Sequence, residues 1–286
     1  DVTAPLKQEE SAYTGIRKQR IEEIAECAER VFNHPFGSQQ FHLLIERSPP
    51  FDIFCHHAAD VRDYRSPHFN YTEALSQNTQ SLSETLALLY SKGCTRLILT
   101  GSVFERGEGT GSDGLEALSP YGLSKGLTYE TFRFFCHKHK MHLGKFVIPN
   151  PFGPFEDDRF TTYLMKEWFK GHIAIVKTPD YIRDNIPAPL LAHAYVDYAE
   201  RFFKDPSKKR FSPSFYRETQ RDFTLRYAQE TEKRLNQLCS VKFLTQEHFE
   251  EPKIRVNTDS LNAEKHFFDE NRFFDENTAW YQRLLS

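Results

Sequence analysis

The sequence lacks the features that mark membrane proteins, nucleic-acid-binding proteins and proteins with paired cysteines. No apolar stretch approaches the roughly 20 residues of a membrane-spanning helix, so no membrane insertion is expected. The formal net charge is -3 and no long basic run occurs, which leaves no electrostatic footprint for nucleic acid. The 5 cysteines lack C-x-x-C spacing, which predicts reduced thiols in a cytoplasmic protein.

A metal site is also not expected. His137, His139 and His142 lie close together in the sequence but lack a ligating cysteine or carboxylate at metal-ligand spacing. A solvated helix end explains these residues better, since cations are favoured near a helix C-terminus.

What is present predicts a packed globular protein. Hydrophobic residues make up 39% and charged residues 27% of the 286 residues, which suits one large domain or a domain with a smaller lobe. Phenylalanine occurs 26 times, against 2 Met and 2 Trp, so much of the core should be aromatic.

Apolar periodicity predicts alternating helices and strands in the first half of the chain. The predicted helices are Ser11–Phe32, Tyr71–Tyr90 and Ser119–Lys140, and the predicted strands are Pro50–Cys55, Arg96–Thr100 and Lys145–Pro149. This order is typical of an α/β fold, a Rossmann-like parallel sheet with helices on both faces. We assign residues 1–151 to this domain and residues 152–286 to a smaller, mostly helical lobe, in which Lys204–Pro213 reads as a surface connection and Phe223–Leu238 as a helix.

Ligands of parallel sheets bind beyond the carboxyl ends of the strands. The segments to examine are therefore His56–Asp60, Thr100–Glu105 and Asn150–Pro154. The adjacent His56 and His57 should point to opposite faces of their strand, which argues against a pair of metal ligands.

Tyr121 and Lys125 form a physically sensible acid/base unit. Positions four apart on a helix share a face, and Ser119-Pro120 provides a favoured helix start just before them. A phenol has an ordinary pKa of about 10, and a neighbouring ammonium lowers it. The pair alone is a weak signal, because an exposed lysine beside a half-buried tyrosine is equally compatible with it.

Six segments, in order, give the sequence a specific resemblance to the extended short-chain dehydrogenase/reductase proteins, the NAD-dependent epimerase/dehydratase family. Listed in chain order they are His56-His-Ala-Ala59, Asn78-Thr, Thr100-Gly-Ser102 with Val103-Phe-Glu105, Tyr121-Gly-Leu-Ser-Lys125, Asn150-Pro-Phe-Gly-Pro154 and Arg183-Asp-Asn-Ile186. The resemblance implies an enzyme that uses NAD or NADP to act on a nucleotide-activated sugar.

The resemblance also implies roles for single residues at the catalytic site. Tyr121 would be the general acid/base, and Lys125 would lower its pKa and bind the nicotinamide ribose. Ser102 would bond the reacting sugar hydroxyl, with Thr100 as the competing candidate. Asn78 would support the site.

The remaining implied roles concern binding. Ala58 and Ala59 would lie along the dinucleotide. Asn150 and Arg183 would face the substrate diphosphate, where the planar guanidinium suits phosphate oxygens.

The sequence departs from the family pattern in two ways. It contains no G-x-x-G-x-x-G turn, the phosphate cradle that should precede these motifs. We therefore expect that the first βαβ portion is missing from the chain and that cofactor binding is poor. The Asp-Glu pair of sugar dehydratases is absent after Thr100, which favours an epimerase, a reductase or a dehydrogenase.

Two other functions stay open. A non-catalytic nucleotide-sugar-binding homologue would explain the missing glycine turn, and a dehydrogenase of small alcohols or ketones would also use the Ser-Tyr-Lys set. A homodimer is a further expectation, through the helices Tyr71–Tyr90 and Ser119–Lys140, although burial against their own sheet needs the same apolar stripes.

Overall fold

The computed structural model of the protein describes residues 2–285. The strands are β1 (Thr3–Pro5), β2 (Glu29–Val31), β3 (Phe54–His56), β4 (Arg96–Ser102), β5 (Thr110–Gly111), β6 (His142–Ile148), β7 (Asn150–Phe152), β8 (Ala174–Val176), β9 (Ile182–Pro187), β10 (Arg210–Phe211), β11 (Pro213–Ser214), β12 (Tyr216–Thr219), β13 (Val241–Phe243), β14 (Arg255–Val256) and β15 (Asp259–Ser260). The helices are α1 (Gly15–Glu23), α2 (Gln39–Arg47), α3 (Tyr71–Asn78), α4 (Leu82–Ser91), α5 (Pro120–Lys138), α6 (Phe160–Phe169), α7 (Ala188–Lys204), α8 (Gln220–Leu235) and α9 (Glu270–Leu285), with 3-10 turns at Glu10–Ala12 and Glu264–His266.

The chain divides into two compact units. The first comprises residues 1–106, 117–147 and 198–211, and the second comprises residues 107–116, 148–197 and 212–286.

The first unit contains a four-stranded sheet with the order β10-β6-β4-β3. Strands β3 and β4 run parallel, with His56 opposite Leu99, and β10 runs parallel to β6, with Arg210 opposite Lys145. A separate parallel pair is formed by β1 and β2. The core of this unit is apolar and continuous, and its buried members are Phe41, Ile45, Leu82, Leu86, Leu89, Cys94, Leu97, Leu99, Phe132, Cys136 and Met141.

The structure corrects three boundaries that the sequence predicted. The single helix over Ser11–Phe32 is wrong: α1 ends at Glu23 with no buried residue, and Glu29–Val31 instead pairs with Thr3–Pro5. Pairing with a distant strand satisfies the backbone of residues 29–31, so it overrides their helical spacing. Lys204–Pro213 is likewise more than a surface connection, because it contains the edge strand β10 of the main sheet.

The helix predicted over Tyr71–Tyr90 is two helices. They are separated at Ser81, which adopts a left-handed conformation with φ 45°. The turn before Ser81 packs closely on Gly37, where an added Cβ would lie 2.0 Å from the Gln80 carbonyl oxygen. The predicted helix start at Ser119-Pro120 is confirmed, since the Ser119 hydroxyl accepts the Gly122 N–H at 3.1 Å.

The second unit combines helices α6, α8 and α9 with short sheets, of which β12-β9-β7 has three strands. Its core is largely aromatic, as the composition predicts. The Phe152 ring lies edge-on to Phe223 at 5.2 Å, to Phe273 at 5.4 Å and to Tyr227 at 5.9 Å. These T-shaped contacts place the positive edge of one ring against the negative face of the next.

Candidate active site

In the first unit, the carboxyl end of β4 lies against the first turn of α5. Gly122 makes this approach possible, because a Cβ at this position would lie 2.2 Å from the carbonyl oxygen of Phe104. The same carbonyl accepts the Leu118 N–H at 3.0 Å. The start of the helix is therefore fixed against the residues that follow Thr100.

Lys125 is buried beside the end of β4. Its side chain is covered, with the residue 4% exposed, and Nζ donates a hydrogen bond to the Thr100 carbonyl oxygen at 2.6 Å. Burial lowers the pKa of Lys125 from its ordinary 10.5 to about 8, although the Glu105 carboxylate acts in the opposite direction. A buried cation with a perturbed pKa is typical of a functional position.

Tyr121 lies one helical turn before Lys125 and is half-buried. Its ring contacts Tyr64 at 5.4 Å and lies edge-on to Phe69 at 5.9 Å, so two aromatic residues of the loop after β3 cover one side of it. The expected reach of its hydroxyl to Ser102 stays a prediction.

The two candidate hydroxyls at the end of β4 have different partners. The Ser102 hydroxyl accepts the Phe104 N–H at 3.2 Å within its own turn. The Thr100 hydroxyl shares a hydrogen bond of 2.7 Å with Nδ1 of His57. Thr100 thus has a titratable partner, whereas Ser102 bonds within its own turn.

His57 is a candidate site residue that sequence patterns raised only as one of a pair of metal ligands. The expected opposite orientation of the two histidines holds, since His56 is buried and His57 exposed. Surrounding protein atoms and the nearby Lys125 ammonium lower the pKa of His57 below 6.5, although part of the residue stays in contact with solvent. A neutral ring is therefore favoured at neutral pH, and its Nδ1 can accept the Thr100 hydroxyl when the proton is on Nε2.

Asn78 supports the loop after β3. It is buried, its Oδ1 accepts the Asp60 N–H at 2.9 Å, and its Nδ2 donates to the Thr128 hydroxyl at 3.2 Å. Ala59, directly before Asp60, is half-buried, and Ala58, one residue earlier, is exposed. The amide therefore links α3, α5 and the loop that carries both alanines.

In the second unit, Asn150 begins β7 and Arg183 lies on the adjacent β9. Asn150 pairs in register with Asn185, two residues from Arg183. The Arg183 guanidinium is mostly buried and forms an ion pair of 2.8 Å with Glu251. It also donates to the Ile182 and Lys253 carbonyl oxygens, at 2.9 Å and 3.2 Å. A carboxylate therefore already lies against the group that the resemblance assigns to a diphosphate.

Within residues 2–285, no group of three or more His, Cys, Asp or Glu side chains is arranged to hold a metal ion. None of the helices in that range has the length and apolar character that a bilayer crossing requires.

The sequence matches the NAD dependent epimerase/dehydratase family over residues 14–211. Comparison with curated proteins gave no match. The structure resembles that of a UDP-glucuronic acid 4-epimerase from Bacillus cereus in complex with NAD, with 12% identity and a TM-score of 0.71 over 100% of this chain and 91% of that one.

Two further solved structures are similar. The UDP-Glc/GlcNAc 4-epimerase from Campylobacter jejuni has 18% identity and a TM-score of 0.67, over 97% of this chain and 91% of that one. The UDP-N-acetylglucosamine 4-epimerase from Methanobrevibacter ruminantium has 14% identity and a TM-score of 0.65, over 90% and 84%. At these identities the likeness shows the Rossmann-like α/β fold. Because the sequence match extends over more than half of its length, the chain belongs to the NAD dependent epimerase/dehydratase family.

Proposed function

We propose that the protein acts as an NAD(P)-dependent enzyme on a nucleotide-activated sugar, most simply as an epimerase, with Tyr121 as its acid/base. The observation that carries the proposal is the bond between the Lys125 ammonium and the Thr100 carbonyl, one helical turn from Tyr121. It places a buried positive charge at the strand end where a parallel sheet binds its ligands.

The residues present fit the nicotinamide-ribose end of a dinucleotide. The small side chains of Ala58 and Ala59 leave the backbone after β3 open, and Tyr121 and Lys125 follow the next strand of the sheet. A site for the pyrophosphate is not evident, because α1 begins with the single glycine Gly15 and the sequence contains no G-x-x-G-x-x-G turn. When bound, the cofactor supplies a hydride acceptor and donor.

The side chains of the chain handle the proton and the orientation of the sugar. The Tyr121 hydroxyl takes the proton of a sugar hydroxyl and returns it, with the Lys125 charge favouring the phenolate. Thr100 or Ser102 holds the same sugar hydroxyl, and the His57 ring accepts from Thr100. General acid/base catalysis of this kind contributes about 10²–10⁴-fold to the rate.

The position of Glu105 supports an epimerase or oxidoreductase over a dehydratase. A dehydratase needs a second acid/base that reaches a neighbouring sugar carbon. Glu105 is fully buried, 0% exposed, and forms an ion pair with Lys145, so its carboxylate is not available to a substrate.

For the substrate we propose a nucleoside-diphosphate sugar, with Asn150 and Arg183 at the diphosphate. The Arg183 guanidinium is paired with the Glu251 carboxylate, which a diphosphate would have to displace in order to bind there. The similar solved structures include complexes of epimerases with UDP-sugars, a substrate class that we extend to this chain.

The test is turnover of a panel of UDP-, GDP- and dTDP-sugars with NAD or NADP, followed by NMR of the sugar ring. We expect Tyr121→Phe to abolish turnover while the melting temperature stays close to that of the wild type, because the ring and its contacts with Tyr64 and Phe69 remain. Turnover within about threefold of the wild type would remove Tyr121 from the chemistry.

A second candidate is a nucleotide-sugar-binding protein without turnover. The absence of a G-x-x-G-x-x-G turn favours it. Calorimetric binding of a UDP-sugar with no turnover and no dinucleotide affinity would select this function.

A further inference from the structure

We propose that Glu105 is a positioning residue of this site: it fixes the carboxyl end of β4 and provides the buried negative charge that keeps Lys125 an ammonium. The inference rests on the proposed function for its catalytic meaning, but its geometry does not. All the residues involved lie in the first unit.

Both oxygens of Glu105 are engaged beneath the strand end. Oε1 accepts the Ser102 N–H at 2.7 Å, and Oε2 lies 2.5 Å from the Lys145 ammonium. The side chains of Glu105 and Lys145 are only 1% and 3% exposed. The ammonium of Lys145 also lies over the Tyr129 ring, 4.0 Å from its centroid. A carboxylate is therefore held rigidly behind the candidate hydroxyl residues.

Gly101 provides an independent sign that this arrangement is specific. A Cβ at Gly101 would lie 2.6 Å from Cε of Lys145 and 3.0 Å from Oε1 of Glu105. Its φ is not in the left-handed region, so backbone conformation does not require glycine here. The ion pair occupies the space instead, so a side chain at this position would force Lys145 or Glu105 to move.

Lys125, Glu105 and Lys145 are thus three buried charged residues near the end of β4, and the charges of Glu105 and Lys145 both act on the pKa of Lys125. His56 and His57, at the end of β3, also interact electrostatically with Lys125, and their pKa values are both lowered. Neutral histidines contribute no counter-charge. Glu105 is the carboxylate that offsets the burial of Lys125, while Lys145 acts against it.

If Glu105 had only a structural role, its replacement would affect folding and stability alone. The positioning role predicts in addition that the protonation of Lys125 depends on Glu105, and with it the activity at high pH. Above its pKa, Lys125 becomes neutral and no longer favours the Tyr121 phenolate. Loss of the carboxylate lowers this pKa further, so activity should be lost at a lower pH.

The experiment follows the ¹³Cε resonance of Lys125 through a pH titration of protein labelled with [¹³C]lysine, assigned with Lys125→Arg. In Glu105→Gln we expect the midpoint to fall by about one unit, a tenfold change in the ionisation constant. The amide of Gln can still accept the Ser102 N–H, so the variant removes the charge and keeps the hydrogen bond. In Lys145→Met the midpoint should move the opposite way, which loss of structure does not explain.

The matched control is Glu130→Gln, which removes an exposed carboxylate from the same helix as Lys125 and should leave the midpoint unchanged. If Glu105→Gln does not fold, Glu105→Gln/Lys145→Met replaces it, because this variant leaves neither partner of the ion pair as an unpaired buried charge. Its midpoint should still fall, by less, since Glu105 acts on Lys125 more strongly than Lys145 does.

The activity assay separates this inference from the proposed function. We expect the high-pH limb of kcat/KM to shift down with the resonance in Glu105→Gln. A shifted resonance in a protein that converts no nucleotide sugar would support Glu105 and overturn the proposed function. An unshifted midpoint, in an active or an inactive enzyme, would overturn the role of Glu105.

Discussion

Replacement of His56, the first residue of the H-x-A-A segment, tests whether the first unit buries this side chain in its neutral form. The ring is 3% exposed and packs against Phe36 at 4.4 Å and Phe132 at 4.9 Å, and its Nε2 has no hydrogen-bond partner among the described residues. Burial, with smaller contributions from Lys125 and His57, lowers its pKa from 6.5 to about 3. The structure thus holds a neutral imidazole as an aromatic core residue.

The sign of the pH effect follows from the lowered pKa. Between pH 3 and pH 6.5 the unfolded chain binds a proton at His56 that the folded chain does not, so stability decreases as the pH falls. At pH 5 this loss is about 2 kcal/mol relative to pH 7.5, from the difference between the two pKa values. His56→Phe should remove that loss and keep the ring contacts.

The assay is urea unfolding followed by circular dichroism at pH 5 and pH 7.5, for the wild type and His56→Phe. Any constant packing cost of the larger ring cancels in the difference between the two pH values. We expect the pH-dependent loss of stability to be smaller in the variant by about 2 kcal/mol. Equal losses in both proteins, or an NMR titration of His56 with a midpoint near 6.5, would refute the reasoning.

Three further predictions concern other contacts. Arg183→Ala should weaken nucleotide-sugar binding about ten- to a hundredfold, whereas Glu251→Gln should strengthen it by releasing the guanidinium. Calorimetry at two salt concentrations checks both, and affinities equal to that of the wild type would exclude this site. His57→Gln should lower kcat/KM and remove its low-pH limb, because a protonated ring cannot accept a hydrogen bond from the Thr100 hydroxyl. An unchanged pH profile would exclude a catalytic role for this hydrogen bond. Asp113→Asn should destabilise the second unit by about 3 kcal/mol, since the fully buried Arg255 guanidinium then loses its ion pair with the partly exposed carboxylate; tryptophan fluorescence measures this, and an unchanged transition would contradict it.

What the sequence predicted well rests on local chemistry. The helix start at Ser119 follows from a hydroxyl cap followed by proline, and the buried strand β4 follows from a short apolar run. Both features depend on neighbours within a few residues. The wrong helix over Ser11–Phe32 failed because β2 depends on a strand that lies 26 residues earlier, as in the contact of Thr3 with Glu29.

In the candidate site too, the local features were predictable from the sequence and the long-range contacts were not. The Tyr121–Lys125 spacing was readable because the two residues share a helix. The bond of His57 to Thr100 spans 43 residues and the contact of Arg183 with Glu251 spans 68, so neither leaves a periodic signal in the sequence. Side-chain pairs across distant elements become visible only in the folded chain.

The buried ion pair between Glu105 and Lys145, whose residues are 40 positions apart, carries the strongest physical argument for a functional constraint. Removing two charges from water is costly, and replacing a buried pair with apolar residues of similar size is often neutral or stabilising. Core packing alone would therefore favour two apolar side chains here and would not require a glycine at position 101. A third buried charge, Lys125, makes a buried ion pair at this position still less favourable for stability. The cost becomes understandable if the strand end must carry a fixed negative charge beside an ammonium, which is a requirement of proton transfer and not of folding.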